Sequence, residues 1–449
     1  MRKILWALAL LVAAIFCMPQ ASASADDSRV ILISIDGLMP SSYTDPALAA
    51  HAPNLRRLAR AGIWADGVVG VFPTVTYPSH TTLITGVPPA RHGIFDNRIL
   101  DPEGRSDGAW YWYARAIQVP TLPMAVRARG LDAAAVGWPV TVGMDLDYVV
   151  PEYRESRHED GRLLLDALSR PRDLLRVVES GLGHPIDWPF DDRSRTDIAT
   201  RLIATYDPHV LLVHLVELDG TQHEFGPGSP EALRMLTTVD ARLGEILEAV
   251  ERAGRSGRTT VAVVSDHGFQ ALARMVQPNA AFRKAGLLSV DAAGRIVSWR
   301  AYYHASGGSG FVYVRDEADV PRVASLLDEL RQNPANGIRR IWTREDLAEA
   351  GAHPDARFGL DVADGFYSGA GTDTLVTESA TRGGHGFAPD RPAMHASLVM
   401  AGPSVRRHGS VGVIPMTRIA PTLARILGVS LAPDAGDPIP LVEAEPTAP

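Results

Sequence analysis

The chain has 449 residues, of which 46% are hydrophobic and 21% charged, with 40 Gly, 33 Pro and one Cys. That apolar fraction suits a globular protein and excludes a disordered, collagenous or disulfide-stapled chain. Lys plus Arg number 44 against 52 Asp plus Glu, a formal charge of -8, which argues against a nucleic-acid coat because phosphate backbones require clustered cations; the lone Cys excludes an internal disulfide and any metal site built on two or more cysteines.

Residues 1–25 read as an export signal: Arg2 and Lys3 form a positive start, 4–18 an apolar run, and Ala23-Ser24-Ala25 a small-residue cleavage site. The run is shorter than the roughly 20 residues a bilayer core requires, and Phe16 precedes Cys17 where a lipid-attachment signal wants a small residue. Cleavage would leave a mature chain free of cysteine. No other segment is apolar enough to span a membrane, so the expected location is the periplasm or outside the cell.

Beyond the signal, short apolar runs alternate with segments of helical period, the pattern of an α/β fold on a mostly parallel sheet with helices on both faces. Strands are predicted over 30–35, 133–136, 210–216, 260–265 and 397–401. Helices are predicted over 54–61, from near Pro78, and over 161–180, 197–206 and 230–253. Residues 278–369 differ, with a glycine-rich run at 307–310, a strand at 311–314 and a helix at 320–332. They read as a smaller α/β insert in a single catalytic domain, 26–449. The Pro- and Ala-rich tail from Pro433 reads as a surface strap, and no internal repeat is present.

Three of the predicted strands run into an aspartate: Asp36, Asp219 and Asp266. Open parallel sheets bind ligands beyond the carboxyl ends of their strands, so the three carboxylates are expected to converge. One such Asp is more often a cap or turn residue; three with companion imidazoles point elsewhere. His267 follows Asp266 directly, His223 follows Asp219 by four, and His385 lies between glycines that permit close backbone approach. Three Asp and three His without Cys suit zinc or another borderline divalent ion, and six ligands are enough for two. The segment 73–82 offers hydroxyls just before a helix whose N-terminus favours an anion. A hydroxyl on a divalent ion becomes a nucleophile near neutral pH. The residues alone leave Thr74, Thr76, Ser79 and Thr81 open for that role.

Asp36-Gly37, Thr76-Tyr77-Pro78-Ser79-His80, Thr85-Gly86, His92-Gly93-Ile94-Phe95-Asp96-Asn97, Asp219 with His223, Asp266-His267-Gly268 and Gly384-His385-Gly386 occur in one order along residues 30 to about 430. As a set they resemble the alkaline phosphatase superfamily, in its nucleotide pyrophosphatase/phosphodiesterase branch. The resemblance implies an alkaline phosphatase-like fold and two zinc ions. Asp36, Thr76, Asp266 and His267 would hold one; Asp219, His223 and His385 would hold the other. It also implies Thr76 as the nucleophile of a double displacement through phosphothreonine. Asn97 would be an amide donor to the phosphoryl group, the backbone N–H near Tyr77 a further donor, and a small phosphodiester or nucleotide the substrate. Ser79 stands where many relatives have Asn, at a position that binds no metal. Three aspartates and two divalent ions leave a net positive site, so an acidic protein can still attract a phosphate anion.

Other residues carry plainer readings. His214, inside an apolar strand, reads as a hydrogen-bonded core residue, and His80 and His92 as structural; His395 is open. Trp110, Tyr111, Trp112, Tyr113 and Tyr148 read as packing rather than as a base-stacking surface, whereas Tyr77, beside Thr76, is expected to line the pocket and bind substrate. The run 307–311 is not a Gly-x-Ser-x-Gly elbow, and no mature Cys is available for conversion to formylglycine. Competing functions are a phosphomonoesterase or phosphonate hydrolase on the same metal core, and a non-catalytic metal- or ligand-binding homologue.

Overall fold

The computed structural model describes residues 27–48, 50–106, 109–153, 161–186 and 190–442; the expected export signal lies outside them. An eight-stranded sheet runs in the spatial order Gly409–Ser410, Ile63–Trp64, Leu398–Ala401, Thr259–Val264, Arg29–Ile35, Val210–Leu215, Ala133–Val136, Tyr148–Val150. The five strands from Thr259–Val264 to Tyr148–Val150 are mutually parallel, and Leu398–Ala401 joins them antiparallel.

Alternation along the central strands builds two cores. Ile31, Ile33, Ile35, Val213 and Val263 face helices Pro53–Arg60, Asp192–Thr205 and Pro230–Arg252 through Leu58, Leu202 and Leu243. Val30, Leu32, Leu212 and Val264 face helices Thr76–Thr85, Leu122–Ala128 and Ile419–Leu427 through Leu83, Val126 and Leu423. Burial on both faces is what makes these strands near-continuous apolar runs.

Several boundaries differ from expectation. The helix near Pro78 begins at Thr76, with the proline in its first turn. Residues 161–180 form two helices, Gly161–Leu168 and Leu174–Leu182, because Pro171 cannot continue the first. The helix expected at 197–206 starts at Asp192, where the Asp191 side chain accepts the Ser194 N–H as a cap. The tail is more than a strap: Ile439 and Leu441 are buried in the second core.

Residues 301–362 form a separate four-stranded antiparallel sheet, ordered Ala301–Ala305, Ser309–Val314, Phe358–Val362, Ile338–Trp342, with Val323 and Leu327 of helix Val320–Gln332 in its core. Phe72, four residues before Thr76, is fully buried in that core; it stacks on Trp342 at 5.0 Å and meets Phe311 edge-on at 5.5 Å. The small sheet is therefore packed onto the segment leading into the Thr76 helix. Among the described residues, no helix is long and apolar enough to cross a membrane.

Candidate active site

At the carboxyl edge of the main sheet the chain brings Asp36, Asp219, Asp266, His223, His267 and His385 together. Asp36 and Asp266 follow their strands closely. Asp219 does not end a strand: the strand stops at Leu215, and Asp219 and His223 share one face of helix Glu217–Phe225. His223 Nε2 lies 3.5 Å and His385 Nε2 3.6 Å from Asp219 Oδ1. His267 Nε2 lies 3.3 Å from Asp36 Oδ1 and 3.1 Å from Asp266 Oδ2. The imidazoles of His267 and His385 stack at 3.5 Å. Two groups of ligand atoms, Asp36/Asp266/His267 and Asp219/His267/His385, are each gathered within 4.8 Å and share His267.

The rest of the hydrogen bonding aims these atoms. Nδ1 of His223, His267 and His385 lies at 2.9, 3.2 and 3.1 Å from the carbonyls of Gly383, Gly268 and Thr74. An Nδ1–H donor there leaves Nε2 as the bare lone pair, the arrangement used by metal-binding histidines. Asp266 Oδ1 accepts the N–H groups of Gly37 at 3.2 Å and His267 at 3.1 Å, the first made possible by the positive φ of 67° at Gly37. Asp36 Oδ2 contacts His214 Nε2 at 3.2 Å. What remains is a set of buried polar atoms with no hydrogen-bond partner: Asp36 Oδ1, Asp219 Oδ1, Asp266 Oδ2 and His267 Nε2. Orphaned polar atoms are costly in a protein interior. Four of them converging, with mixed N and O character, fit divalent cations.

Electrostatics agree with that fit. Burial and the neighbouring Asp266 and Asp219 carboxylates push the Asp36 carboxyl well above the usual carboxylate range. Burial also works against ionisation of Asp266, but His267 overcomes it and holds this group well below that range. For His267, burial opposes charging and Asp266 prevails, raising its pKa. Burial and the adjacent His267 and His223 drive His385 well below the ordinary value. Without added positive charge Asp36 and Asp266 are driven in opposite directions; a cation beside them would favour the ionised form of Asp36.

Thr76 opens its helix, buried, one turn from His80, whose Nδ1 is 2.8 Å from the Thr76 carbonyl and 3.7 Å from Asp266 Oδ2. Thr74, an alternative nucleophile, donates its hydroxyl to the Phe387 carbonyl, and Thr81 donates to Tyr77 O. Asn97 accepts the Tyr77 N–H through Oδ1 at 2.8 Å. This backbone N–H is thus engaged by Asn97, and it orients the Asn97 amide. Tyr77 departs from expectation. Its side chain is fully buried beneath Trp110 and Trp112, at 5.2 and 5.9 Å, and presents no surface to line a pocket. Tyr148 stacks on Tyr206.

Two residues with clear roles around the ligands were not marked by sequence. His214 sits in the core as its apolar strand predicts, yet it bridges Asp36 and the buried Glu152. Glu152 carries no local signal at all, since it reaches the site only through the fold.

The description type I phosphodiesterase/nucleotide pyrophosphatase belongs to a family whose model matches residues 30–388. Among curated proteins, the chain is similar to an uncharacterised pyrophosphatase/phosphodiesterase of Schizosaccharomyces pombe, 29% identical over 252 residues, covering 54% of this chain and 44% of that protein. It is also similar to human ectonucleotide pyrophosphatase/phosphodiesterase family member 7, 26% identical over 253 residues, covering 55% and 49%. The chain thus spans less than half the length of these curated relatives. Human ectonucleotide pyrophosphatase/phosphodiesterase 5 superposes with a TM-score of 0.66 at 18% identity, over 91% of this chain and 97% of that one. An inactive Thr-to-Ala variant of the murine counterpart, in complex with AMP, gives 0.65 at 19% identity, over 91% and 97%. At these identities the structural likeness speaks for the fold: a large, mostly parallel sheet flanked by helices. From the family match, the chain belongs to the type I phosphodiesterase/nucleotide pyrophosphatase family.

Proposed function

We propose that the chain hydrolyses phosphodiester or pyrophosphate bonds with two divalent cations, zinc by the character of the donors, and with Thr76 as nucleophile. The observation that carries this reading is the convergence of four buried atoms that make no hydrogen bond, Asp36 Oδ1, Asp219 Oδ1, Asp266 Oδ2 and His267 Nε2. Asp36, Thr76, Asp266 and His267 would hold one cation, and Asp219, His223 and His385 the other. Cations bound there would acidify a hydroxyl and offset charge on the phosphoryl oxygens. Thr76 Oγ1 forms a new bond to phosphorus as the leaving oxygen departs, its proton passing to solvent. Water then opens the phosphothreonine and regenerates the hydroxyl. Asn97, its Oδ1 fixed by Tyr77 N–H, keeps its NH2 for a phosphoryl oxygen, the preorganised donor such transfers depend on.

The family match supports this reaction class, and the AMP complex of the murine neighbour supports a nucleotide-sized substrate. We read residues 26–449 as one catalytic unit with an insert near 278–369, exported by residues 1–25 to the periplasm or beyond.

The test is Thr76→Ala with a bis-aryl phosphate diester as substrate. Turnover should vanish while zinc content stays near that of the parent; full activity would overturn the assignment. Running the aryl monoester in parallel tests the bond type, and a strong monoester preference would reject the diesterase reading.

A further inference from the structure

Asp36 offers one oxygen to the cation site and gives the other to a residue outside the ligand set. His214 Nε2 lies 3.2 Å from Asp36 Oδ2, and His214 Nδ1 lies 2.9 Å from Glu152 Oε2. The second oxygen of Glu152 accepts the Tyr77 hydroxyl at 3.3 Å. Arg195 closes the group, donating from Nη1 to the His214 carbonyl at 2.9 Å and approaching Glu152 Oε2 at 3.5 Å. His214 is fully enclosed, and Glu152 and Arg195 are nearly so. A buried chain therefore runs Tyr77–Glu152–His214–Asp36, from the neighbour of Thr76 to a residue of the cation cluster.

A core histidine needs only satisfied nitrogens, and backbone carbonyls would do. Here Nε2 is spent on the carboxylate that faces the cation site, and Nδ1 meets the Glu152 carboxylate at 2.9 Å with the Gly137 carbonyl beside it at 3.2 Å. An imidazole held at both ends cannot turn about its Cβ–Cγ bond without losing both contacts. It therefore fixes the plane of the Asp36 carboxylate and leaves Oδ1, which accepts no hydrogen bond and lies 3.3 Å from His267 Nε2, directed at the cluster. Glu152 in turn fixes the imidazole, and through Tyr77 ties it to the start of the Thr76 helix.

We propose that His214, anchored by Glu152, is a positioning residue that aims Asp36 at the cation and sets it in register with Thr76. The proposal rests on the two-cation reading above. Its test measures cation binding rather than turnover: zinc affinity by competition with a chromogenic chelator, and the absorption spectrum of the cobalt-substituted protein. The variants are His214→Gln, whose amide nitrogen can reach toward Asp36, and His214→Asn, whose shorter amide reaches only toward Glu152.

His214→Asn should bind zinc about 10–100-fold more weakly, the range for partners that orient a ligand, with an altered cobalt spectrum. His214→Gln, which keeps the Asp36 contact and loses the Glu152 anchor, should be weakened less, by no more than about tenfold. Equal binding by the parent and His214→Asn would overturn the proposal, as would equal losses in both variants. If His214→Asn does not fold, as judged by circular dichroism, Glu152→Gln decides. It preserves shape and should still weaken zinc by about tenfold; unchanged affinity would overturn the proposal. A parent protein that binds no cation would overturn the functional reading itself, an outcome distinct from a parent that binds zinc and variants that bind it equally well.

Discussion

The amide oxygen of Asn97 accepts the backbone N–H of Tyr77 at 2.8 Å, so the residue after Thr76 dictates which way the Asn97 amide points. Its NH2 end has no protein acceptor among the described residues and is free for a ligand oxygen. Asn97→Ala should lower kcat by about 10²–10³, as loss of one preorganised donor does, with zinc content unchanged. Asn97→Asp keeps the accepting oxygen and loses the donor, so it should fall as far. Steady-state kinetics on a phosphodiester check both, and an active Asn97→Asp would remove the donor role.

Why some of this was readable in advance and some was not follows from individual residues. Val30, Ile31, Leu32 and Ile33 are apolar on both faces of a buried parallel strand, so the strand and the Asp36 that follows it stand out in the sequence. His223 is legible because helical spacing puts it beside Asp219. Glu152 lies in a loop and meets His214 across 62 positions of sequence; no local period encodes such a contact. Tyr77 misleads for a similar reason. Its position beside Thr76 suggests an exposed ring, but Trp110 and Trp112 arrive from a distant loop and cover it. The apolar period on either side of Pro171 reads as one helix over 161–180, whereas the proline divides it in two.

Chelation should destabilise the fold as well as stop turnover. Asp36, Asp219 and Asp266 share one buried cluster, and the Asp36 carboxyl is driven well above its usual range by burial and by the other two. Cation binding to the folded state alone adds about 4 kcal/mol when free cation exceeds Kd a thousandfold. The melting temperature should therefore fall on dialysis against a chelator and recover with zinc, together with activity. A melting temperature indifferent to chelator would mean that the cluster does not bind a cation tightly.

His92 predicts an acid-side loss of stability. It is fully buried; Nδ1 accepts the Ile94 N–H at 3.1 Å and Nε2 lies 3.1 Å from Thr82 Oγ1. The Thr82 hydroxyl donates to Val87 O, so Nε2 carries the single ring proton and the imidazole is neutral. Burial lowers its pKa from 6.5 to about 3. The unfolded chain therefore takes up a proton below pH 6.5 that the folded chain refuses until about pH 3, and stability falls as pH drops through that window. At pH 5 the contribution is about 2 kcal/mol. Urea unfolding at pH 7.5 and pH 5 should show a smaller acid loss in His92→Gln than in the parent; identical losses would exclude His92 as the cause.

Asp96 connects the small antiparallel sheet to Asn97. Its Oδ1 accepts the Asn97 N–H at 2.6 Å, and its Oδ2 accepts the hydroxyl of Ser306, the residue after strand Ala301–Ala305. His304 Nε2 stands 3.5 Å from the same oxygen. Asp96 is buried, and burial raises its pKa despite His304 and Ser306, so each donor it keeps matters. Ser306→Ala leaves a buried carboxylate short of one donor, a stability cost of about 1–3 kcal/mol. If the sheet serves only to pack against Phe72, that cost is the whole effect. If it holds Asn97 in place, kcat should also fall, by about tenfold, with zinc affinity unchanged because no metal ligand is touched. Asp96→Asn should move kcat in the same direction and further, since the charge that gathers these donors is gone. A Ser306→Ala protein that melts earlier yet turns over at the parental rate would assign the contact to stability alone.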